Sequence, residues 1–345
     1  MVLDKLMFVE VMKVQLNKKC VWFGVFLLLS IYIGFCFFSK QSRKDAAQAK
    51  NLAKERAYFL PMKISGFSIG NVPYIIVCIE DQTITAKVDL GYQGHIALTS
   101  DIIKNLKTKK FIGRHSSYGI KGKIWESNVY ELEKIHTENV SFYPVLADEL
   151  CSEFQTDIHV GVQPNVSELD CGRVGWRLFQ NFNLLFDCKN SIFALCDSLE
   201  TLKQQGYSTN SFVEVPFLLD QGWIAFTAET EHGNLRCILD TGSTWNMLNK
   251  NILDPFNSHM VLKNDNEESY LKLNPENKDL LVFDSENILD LQVFNIGNKS
   301  FGPMTFNHIK SPVDIDAIIG MEFFEKTLVF VDFSRQKIYF FEYPK

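Results

Sequence analysis

Residues 237–244 read CILDTGST, an apolar run that ends in Asp240 and is followed at once by small and hydroxyl-bearing residues. Such a run is typical of a buried β-strand, so the pattern delivers one carboxylate to the end of a strand. A strand that merely ends in a capping aspartate needs no special neighbours. Here Thr241, Gly242 and Ser243 follow it, and this concentration of polar groups indicates a site with chemistry of its own.

A weaker copy of this pattern lies in the first half of the chain. Residues 84–91 read ITAKVDLG, so that Asp89 and Gly91 correspond to Asp240 and Gly242. In both halves an apolar run follows within a few residues. The match suggests that the two halves arose by duplication.

A second matching feature closes each half. A Val-Gly pair ends at Gly175 and an Ile-Gly pair ends at Gly320, and an aspartate follows each glycine after twelve residues, at Asp187 and at Asp332. We expect these two aspartates to cap hairpin turns rather than to act chemically. Two features in the same order with the same spacing make duplication the better explanation.

Short apolar or alternating runs separated by turn residues fill the chain from residue 59 onward, which predicts a mostly β fold. We place the first lobe at 59–200 and the second at 212–345. The polar segment 201–211 is the predicted linker between them.

The N-terminal region has a different character. Residues 20–38 (CVWFGVFLLLSIYIGFCFF) contain no charged side chain and, at about 1.5 Å per residue, can cross a hydrocarbon core of about 30 Å. We expect one transmembrane helix there, preceded by a basic segment at 1–19 and followed by a helical stalk at 39–58. A buried core helix and a cleaved signal sequence are the alternatives. Basic residues flank both ends, so the orientation stays open, although a short basic N-terminus favours export of the C-terminal portion.

Composition excludes several classes of function. A formal net charge of -6 argues against nucleic acid as the main partner. The 7 histidines are dispersed and the 8 cysteines include no Cys-x-x-Cys pair, so we expect neither a metal nor a cofactor.

If the duplicated lobes face each other, Asp89 and Asp240 meet. Two carboxylates about 3 Å apart cannot both ionise cheaply, so they share a proton and their pKa values separate. The ionised group can then take a proton from a water molecule, while the protonated one donates to a carbonyl oxygen. This pair would hydrolyse an amide bond without a metal.

The stretch ILDTGST at 238–244, with AIIG at 317–320, resembles the aspartic protease superfamily, and the second lobe is most similar to a retroviral-type protease lobe. The resemblance covers roughly residues 59 to 343. It implies two tandem β-barrel lobes and a peptide or protein substrate. Together with the N-terminal segment, it suggests a membrane-anchored aspartic endopeptidase.

The resemblance also implies roles for single residues. Asp240 would be a catalytic aspartate and Thr241 would form a hydrogen bond to the opposite lobe. Gly242 would let the backbone approach the carboxylate, and Ser243 would support the outer oxygen of Asp240. Gly320 would lie in a loop packed behind the site.

In the first lobe, Asp89 matches the second catalytic aspartate and Gly91 matches the motif glycine. Tyr118 and Gly119 lie where the family carries its flap, a hairpin that closes over the substrate. An ordinary hairpin turn is the alternative interpretation of that segment.

The first lobe departs from the family pattern at three positions. Leu90 replaces a hydroxyl residue, Tyr92 replaces Ser or Thr, and Arg173 replaces an apolar residue. A catalytic group misplaced by about 1 Å can lose about a hundredfold in rate. Two alternatives therefore stay open: a catalytically impaired module that binds peptides or partner proteins in its cleft, and a homodimer that pairs Asp240 with its copy.

Overall fold

The computed structural model describes residues 56–67, 70–118, 124–150, 172–249, 288–309 and 314–344. The predicted segments 1–19 and 20–38, most of the stalk at 39–58, and Gly119 lie outside these residues. Within the described part of the chain, no helix combines the length and apolarity needed to cross a membrane. From Ala57 onward the chain forms one structural unit that contains both predicted lobes.

The prediction of a mostly β fold is confirmed, and the described residues form few helices, all of them short. The strands that precede the predicted linker are β1 (Ala57–Pro61), β2 (Lys63–Phe67), β3 (Gly70–Ile79), β4 (Gln82–Asp89), β5 (Ile96–Thr99), β6 (Lys110–Tyr118), β7 (Ile124–Leu132), β8 (Ile135–His136), β9 (Ser141–Phe142), β10 (Val145–Leu150), β11 (Gly172–Gly175), β12 (Asn183–Asp187) and β13 (Ile192–Cys196). Among the described residues of this part, the helices are α1 (Ser100–Asn105) and two 3-10 turns, Trp176–Phe179 and Cys188–Asn190.

A short helix, α2 (Leu199–Gln204), leads into the second half, and Ser198 caps its N-terminus by accepting a hydrogen bond from the Thr201 N–H. The strands that follow are β14 (Val213–Pro216), β15 (Leu218–Asp220), β16 (Trp223–Thr230), β17 (Gly233–Leu239), β18 (Met247–Asn249), β19 (Ile288–Leu291), β20 (Phe294–Ile296), β21 (Lys299–Ser300), β22 (Met304–Ile309), β23 (Ala317–Ile319), β24 (Thr327–Asp332) and β25 (Lys337–Glu342), with helix α3 (Met321–Phe324) between β23 and β24.

Each lobe contributes one large sheet, and the two sheets have the same strand order. The first-lobe sheet runs β6-β7-β10-β5-β11-β4-β3-β8-β9, and the second-lobe sheet runs β19-β22-β18-β23-β17-β16-β20-β21. From β7 and β19 onward the two orders correspond strand for strand. The arrangement supports the duplication that the sequence indicates.

A third sheet joins the lobes. Its order is β1-β13-β12-β24-β25-β14, with three strands from each half, and β12 pairs with β24 across the centre at Leu185 and Phe330. Asp187 and Asp332 lie at the hairpin turns of this sheet, where each carboxylate accepts a hydrogen bond from a backbone N–H three residues later. Both aspartates therefore stabilise turns.

Phenylalanine side chains fill the core beneath this joining sheet. Phe186 and Phe193 of the first half are fully buried and pack against each other, and Phe186 also contacts Phe324 of the second half, with 5.4 Å between ring centroids. A buried Phe side chain contributes about 1.5–3 kcal/mol. This shared core fixes the two lobes against each other and thereby positions the two aspartate-bearing loops.

Candidate active site

Asp89 and Asp240 meet at the centre of the molecule. Asp89 is the last residue of β4, and Asp240 directly follows β17, so both lie at the end of a central strand of their sheet. The two carboxyl groups lie within hydrogen-bonding reach of each other, and this contact lowers the pKa of Asp89 and raises that of Asp240. One chain supplies both members of the pair, so no second copy is needed to complete it.

Two glycines allow this close approach. A Cβ atom on Gly242 would lie 2.4 Å from Cγ of Asp89, and one on Gly91 would lie 2.6 Å from Cγ of Asp240. In real structures, a Cβ atom essentially never lies within 3.0 Å of a heavy atom from a residue that is not its chain neighbour. Each glycine therefore makes room for the carboxyl group of the opposite lobe, and Gly242 also donates its N–H to Oδ1 of Asp240 at 2.8 Å.

Thr241 joins the two aspartate loops. Its hydroxyl donates to the Val88 carbonyl at 2.7 Å and accepts from the Leu90 N–H at 3.1 Å, and the side chain is fully buried. These are the cross-lobe hydrogen bonds that the resemblance implies. Leu90 occupies the equivalent first-lobe position and has no hydroxyl, so it cannot make the reciprocal pair.

Ser243 does not make the hydrogen bond that the resemblance implies. Its hydroxyl donates to the Trp245 carbonyl at 2.7 Å, because the turn brings that acceptor next to the short side chain. The equivalent residue of the first lobe is Tyr92, whose backbone N–H donates to Oδ1 of Asp89 at 3.0 Å. Each carboxylate thus has one backbone donor from its own turn, Gly242 for Asp240 and Tyr92 for Asp89.

The glycines at the ends of β11 and β23 pack behind these turns. A Cβ atom on Gly320 would lie 2.3 Å from the Trp245 carbonyl oxygen, and one on Gly175 would lie 2.3 Å from the carbonyl oxygens of Tyr92 and Gly94. No larger residue fits at either position. Both glycines therefore pack directly against the turns that follow the two aspartates.

Two tryptophans add cross-lobe hydrogen bonds that sequence reasoning missed. The indole N–H of Trp223 donates to the Gly91 carbonyl, and that of Trp176 donates to the Gly222 carbonyl, both at 3.0 Å. Trp223 follows directly after Gly222, so the two bonds connect one second-lobe turn to the first lobe.

The flap candidates are only partly described. Tyr118 is the last residue of β6, which pairs with β7 as an antiparallel hairpin with Tyr118 opposite Ile124. Gly119 lies outside the described residues. A function of this hairpin as a flap stays a prediction.

Cationic side chains lie next to Asp89. An Nη1 atom of Arg173 is 3.3 Å from Oδ2 of Asp89, and both side chains are almost buried. Burial acts to raise the pKa of Asp89, but the charges of Arg173 and Lys87 and the hydrogen bond from Asp240 outweigh it, so this pKa is lowered. The sequence marks Arg173 as a departure from the family pattern, but its contact with Asp89 depends on the tertiary structure.

Asp240 shifts in the opposite direction. Its burial, the neighbouring charge of Asp89 and the hydrogen bond to Asp89 raise the pKa of Asp240 to about 7. One member of the pair is therefore ionised and the other protonated in mildly acidic solution. General acid–base hydrolysis by a pair of carboxyl groups requires one ionised and one protonated member.

The first lobe has a further polar network beside the site. The Tyr92 hydroxyl donates to Asp148, and Nδ1 of His115 lies 3.3 Å from the same carboxylate. Burial raises the pKa of Asp148, although the Tyr92 hydrogen bond and His115 act to lower it. No motif singled out Asp148 or His115, because both come from strands distant in sequence from Asp89.

Two solved structures share this fold. The structure of basic 7S globulin from soybean matches with a TM-score of 0.53 and 12% identity, over 83% of this chain and 95% of the globulin chain. Conglutin gamma, a basic 7S globulin from lupine seeds, matches with a TM-score of 0.54 and 11% identity, over 84% of this chain and 96% of its own. At this identity the likeness concerns the fold alone, and it supports a pepsin-like arrangement of two half-barrel lobes.

Comparison by sequence adds no relative. No protein-family model matches the chain, and no curated protein matches it significantly. Within the described part of the chain, no three His, Cys, Asp or Glu side chains lie where they could hold a metal ion.

Proposed function

We propose that the protein is an aspartic endopeptidase, in which Asp89 and Asp240 hydrolyse a peptide bond of a peptide or protein bound between the lobes. The observation that carries the proposal is the hydrogen-bonded carboxyl pair, held within one chain by Thr241 and by the glycines Gly91 and Gly242. A buried pair of carboxyl groups is costly unless it is supported, and here the surrounding backbone supports it.

The unequal pKa values assign a role to each aspartate. Asp89, with its lowered pKa, takes a proton from a water molecule whose oxygen attacks the carbonyl carbon of the peptide bond. Asp240 gives its proton to the carbonyl oxygen, which becomes a hydroxyl group in the tetrahedral intermediate. The proton on Asp89 then passes to the amide nitrogen as the C–N bond breaks, and Asp240 regains its proton from the intermediate.

Replacing Asp240 tests this proposal. Asp240→Asn should abolish cleavage of a mixed peptide library at mildly acidic pH, because the amide cannot share a proton with Asp89. Undiminished cleavage by this variant would refute the proposal. The wild-type and variant unfolding midpoints should be compared first, so that loss of fold is not mistaken for loss of chemistry.

A non-catalytic cleft that binds peptides or partner proteins is the second candidate. Arg173 beside Asp89 favours it, because a carboxylate with a lowered pKa is a weaker general base. The absence of a hydroxyl at Leu90 favours it as well. So do the two solved structures with this fold, which are both basic 7S globulins.

An inhibitor that mimics the tetrahedral intermediate separates the two candidates. A statine-type peptide places a hydroxyl group between the carboxyl groups, so an intact catalytic pair should bind it at least about a hundredfold more tightly than the parent peptide. Equal, weak binding of the two ligands would favour the non-catalytic cleft.

We further propose that residues 20–38 anchor the chain in a membrane with the lobes on the exported side. In sealed vesicles whose interior corresponds to the exported side, added protease should digest the lobes only after detergent has opened the vesicles. Recovery of the full chain in the soluble fraction would refute the anchor.

A further inference from the structure

The face of each lobe beside the aspartate pair carries one row of four side chains, each from a neighbouring strand. The hydrogen-bonded register places the first-lobe row across β4, β11, β5 and β10, and it consists of Lys87, Arg173, Ala97 and Asp148. The second-lobe row lies across β17, β23, β18 and β22, and it consists of Ile238, Ile318, Met247 and Asn307. The two rows correspond position by position, because each starts two residues before the aspartate of its lobe.

Both rows face the carboxyl pair. Side chains alternate along a strand, so Lys87 lies on the same face of β4 as Asp89. The contact of Arg173 with Asp89 shows the same for β11. In the second lobe, Ile238 and Ile318 belong to an apolar cluster packed against Trp223, whose indole reaches the carbonyl of Gly91.

The two rows differ in charge. The first-lobe row contains two cations, Lys87 and Arg173, at the positions that the second-lobe row fills with Ile238 and Ile318. The charge of Lys87 acts on both aspartates, and the charge of Arg173 acts on Asp89. The side chains next to the aspartate pair are therefore partly cationic in the first lobe and apolar in the second.

Each carboxylate near the two cations already has a partner of its own. Asp89 is ion-paired with Arg173. Asp148 accepts a hydrogen bond from the Tyr92 hydroxyl and lies 3.3 Å from Nδ1 of His115. A side-chain carboxylate beside the two cations would form charge-assisted hydrogen bonds, whereas a lysine side chain would be repelled.

We propose that the first-lobe row is a subsite for an acidic residue of the peptide, in which Lys87 and Arg173 bind a Glu or Asp side chain next to the aspartate pair. The second-lobe row receives an apolar side chain on the other side. This inference rests on the proposed binding of a peptide between the lobes and adds its substrate class.

The test uses peptides that bind but cannot be cleaved. In all four peptides, a reduced amide (–CH2–NH–) replaces the central bond. One pair carries Glu or its uncharged isostere Gln on the N-terminal side of this bond, and the other pair carries Glu or Gln on the C-terminal side. We expect the Glu peptide to bind about 10- to 100-fold more tightly than the Gln peptide, on one side of the reduced bond only. Affinities are measured by calorimetry on the whole chain.

The variant Lys87→Ile/Arg173→Ile copies the second-lobe row into the first lobe, and the preference for Glu should fall to within about twofold. Lys104→Gln/Lys107→Gln is the matched control, since it also removes two positive charges but from side chains that are 71% and 72% exposed. It should keep the preference. If the double variant does not fold, Lys87→Met and Arg173→Gln replace it, and each should reduce the preference.

A parallel cleavage assay with ordinary peptides separates failure of this inference from failure of the proposed hydrolysis. Tighter binding of Glu without any cleavage would support the subsite and refute the peptidase. Cleavage without a preference for Glu over Gln would refute the subsite and leave the peptidase standing. A preference that survives in the Lys87→Ile/Arg173→Ile variant would also refute the subsite.

Discussion

The two lobes have the same strand order but support their aspartates differently. In the second lobe, Asp240 is followed by Thr241, which bonds across to the first lobe, and lies beside an apolar row. In the first lobe, Asp89 is followed by Leu90, which has no hydroxyl, and lies beside Arg173. The turn of the second lobe, through Thr241, can therefore hold both aspartate loops together. The first lobe, through Arg173, changes the charge around the pair.

Among the residues that support the carboxyl pair, the largest effect is expected where backbone space is smallest. Gly242→Ala and Gly91→Ala should each reduce kcat/KM by at least about 100-fold, because the new Cβ atom would meet the opposite carboxyl group and displace it. Kinetics on one peptide substrate measure both variants. Near-UV circular dichroism of each variant should be compared with that of the wild type, so that loss of core packing is not mistaken for loss of catalysis.

The lobes are predicted to respond alike to these glycine substitutions. A large loss for one variant and none for the other would mean that only one carboxyl group is tightly enclosed. The two lobes would then differ in the backbone space around each carboxyl group as well as in charge.

Thr241 should matter for stability more than any single residue of the first-lobe turn. Thr241→Val leaves the Val88 carbonyl and the Leu90 N–H buried without their partner, which should cost about 2–4 kcal/mol in the free energy of unfolding. Urea denaturation measures this quantity. Thr241→Ser keeps the hydroxyl and is the control, and equal stability of the Val and Ser variants would refute the role of these hydrogen bonds.

Arg173 should set the acidic limit of activity. Asp89 must be ionised to act as a base, and Arg173 lowers its pKa, so Arg173→Leu should raise that pKa and reduce the ionised fraction in acid. We expect the ratio of activity at about pH 3 to activity at about pH 6 to fall about 3- to 10-fold. The loss of activity as the pH rises through about 7 comes from deprotonation of Asp240, and it should stay where it is.

Arg173→Lys keeps the positive charge and provides the control for this pH profile. It should shift the acidic limit less than Arg173→Leu does. If both variants shift it equally, the geometry of the guanidinium and not its charge controls Asp89.

Local patterns predicted much of the fold and the best-supported half of the site. The alternation and the turn residues indicated a mostly β chain, and the apolar run before Asp240 placed this carboxylate at a strand end. The matching spacing of Gly175 and Gly320 to their capping aspartates indicated the duplication. These features are local in sequence, so they could be recognised without a structure.

Contacts between distant segments could not be predicted in this way. Lys87 lies two residues before Asp89, and strand alternation places it on the same face of β4. Its pairing with Arg173 of β11, on which the proposed subsite depends, is a tertiary contact.

The hydroxyl of Ser243 donates to a carbonyl of its own turn, and the sequence motif alone does not reveal this hydrogen bond. The N-terminal prediction of a membrane helix at 20–38 lies outside the described residues and stays a prediction.

We propose that Asp89 and Asp240 of one chain act as a single catalytic pair despite the unequal support of the two lobes. The most direct measurement is the rate of peptide cleavage by Asp89→Asn at mildly acidic pH. We expect a loss of at least about a thousandfold, because the general base is removed. A rate close to that of the wild type would contradict the claim and would favour pairing of Asp240 between two copies of the chain.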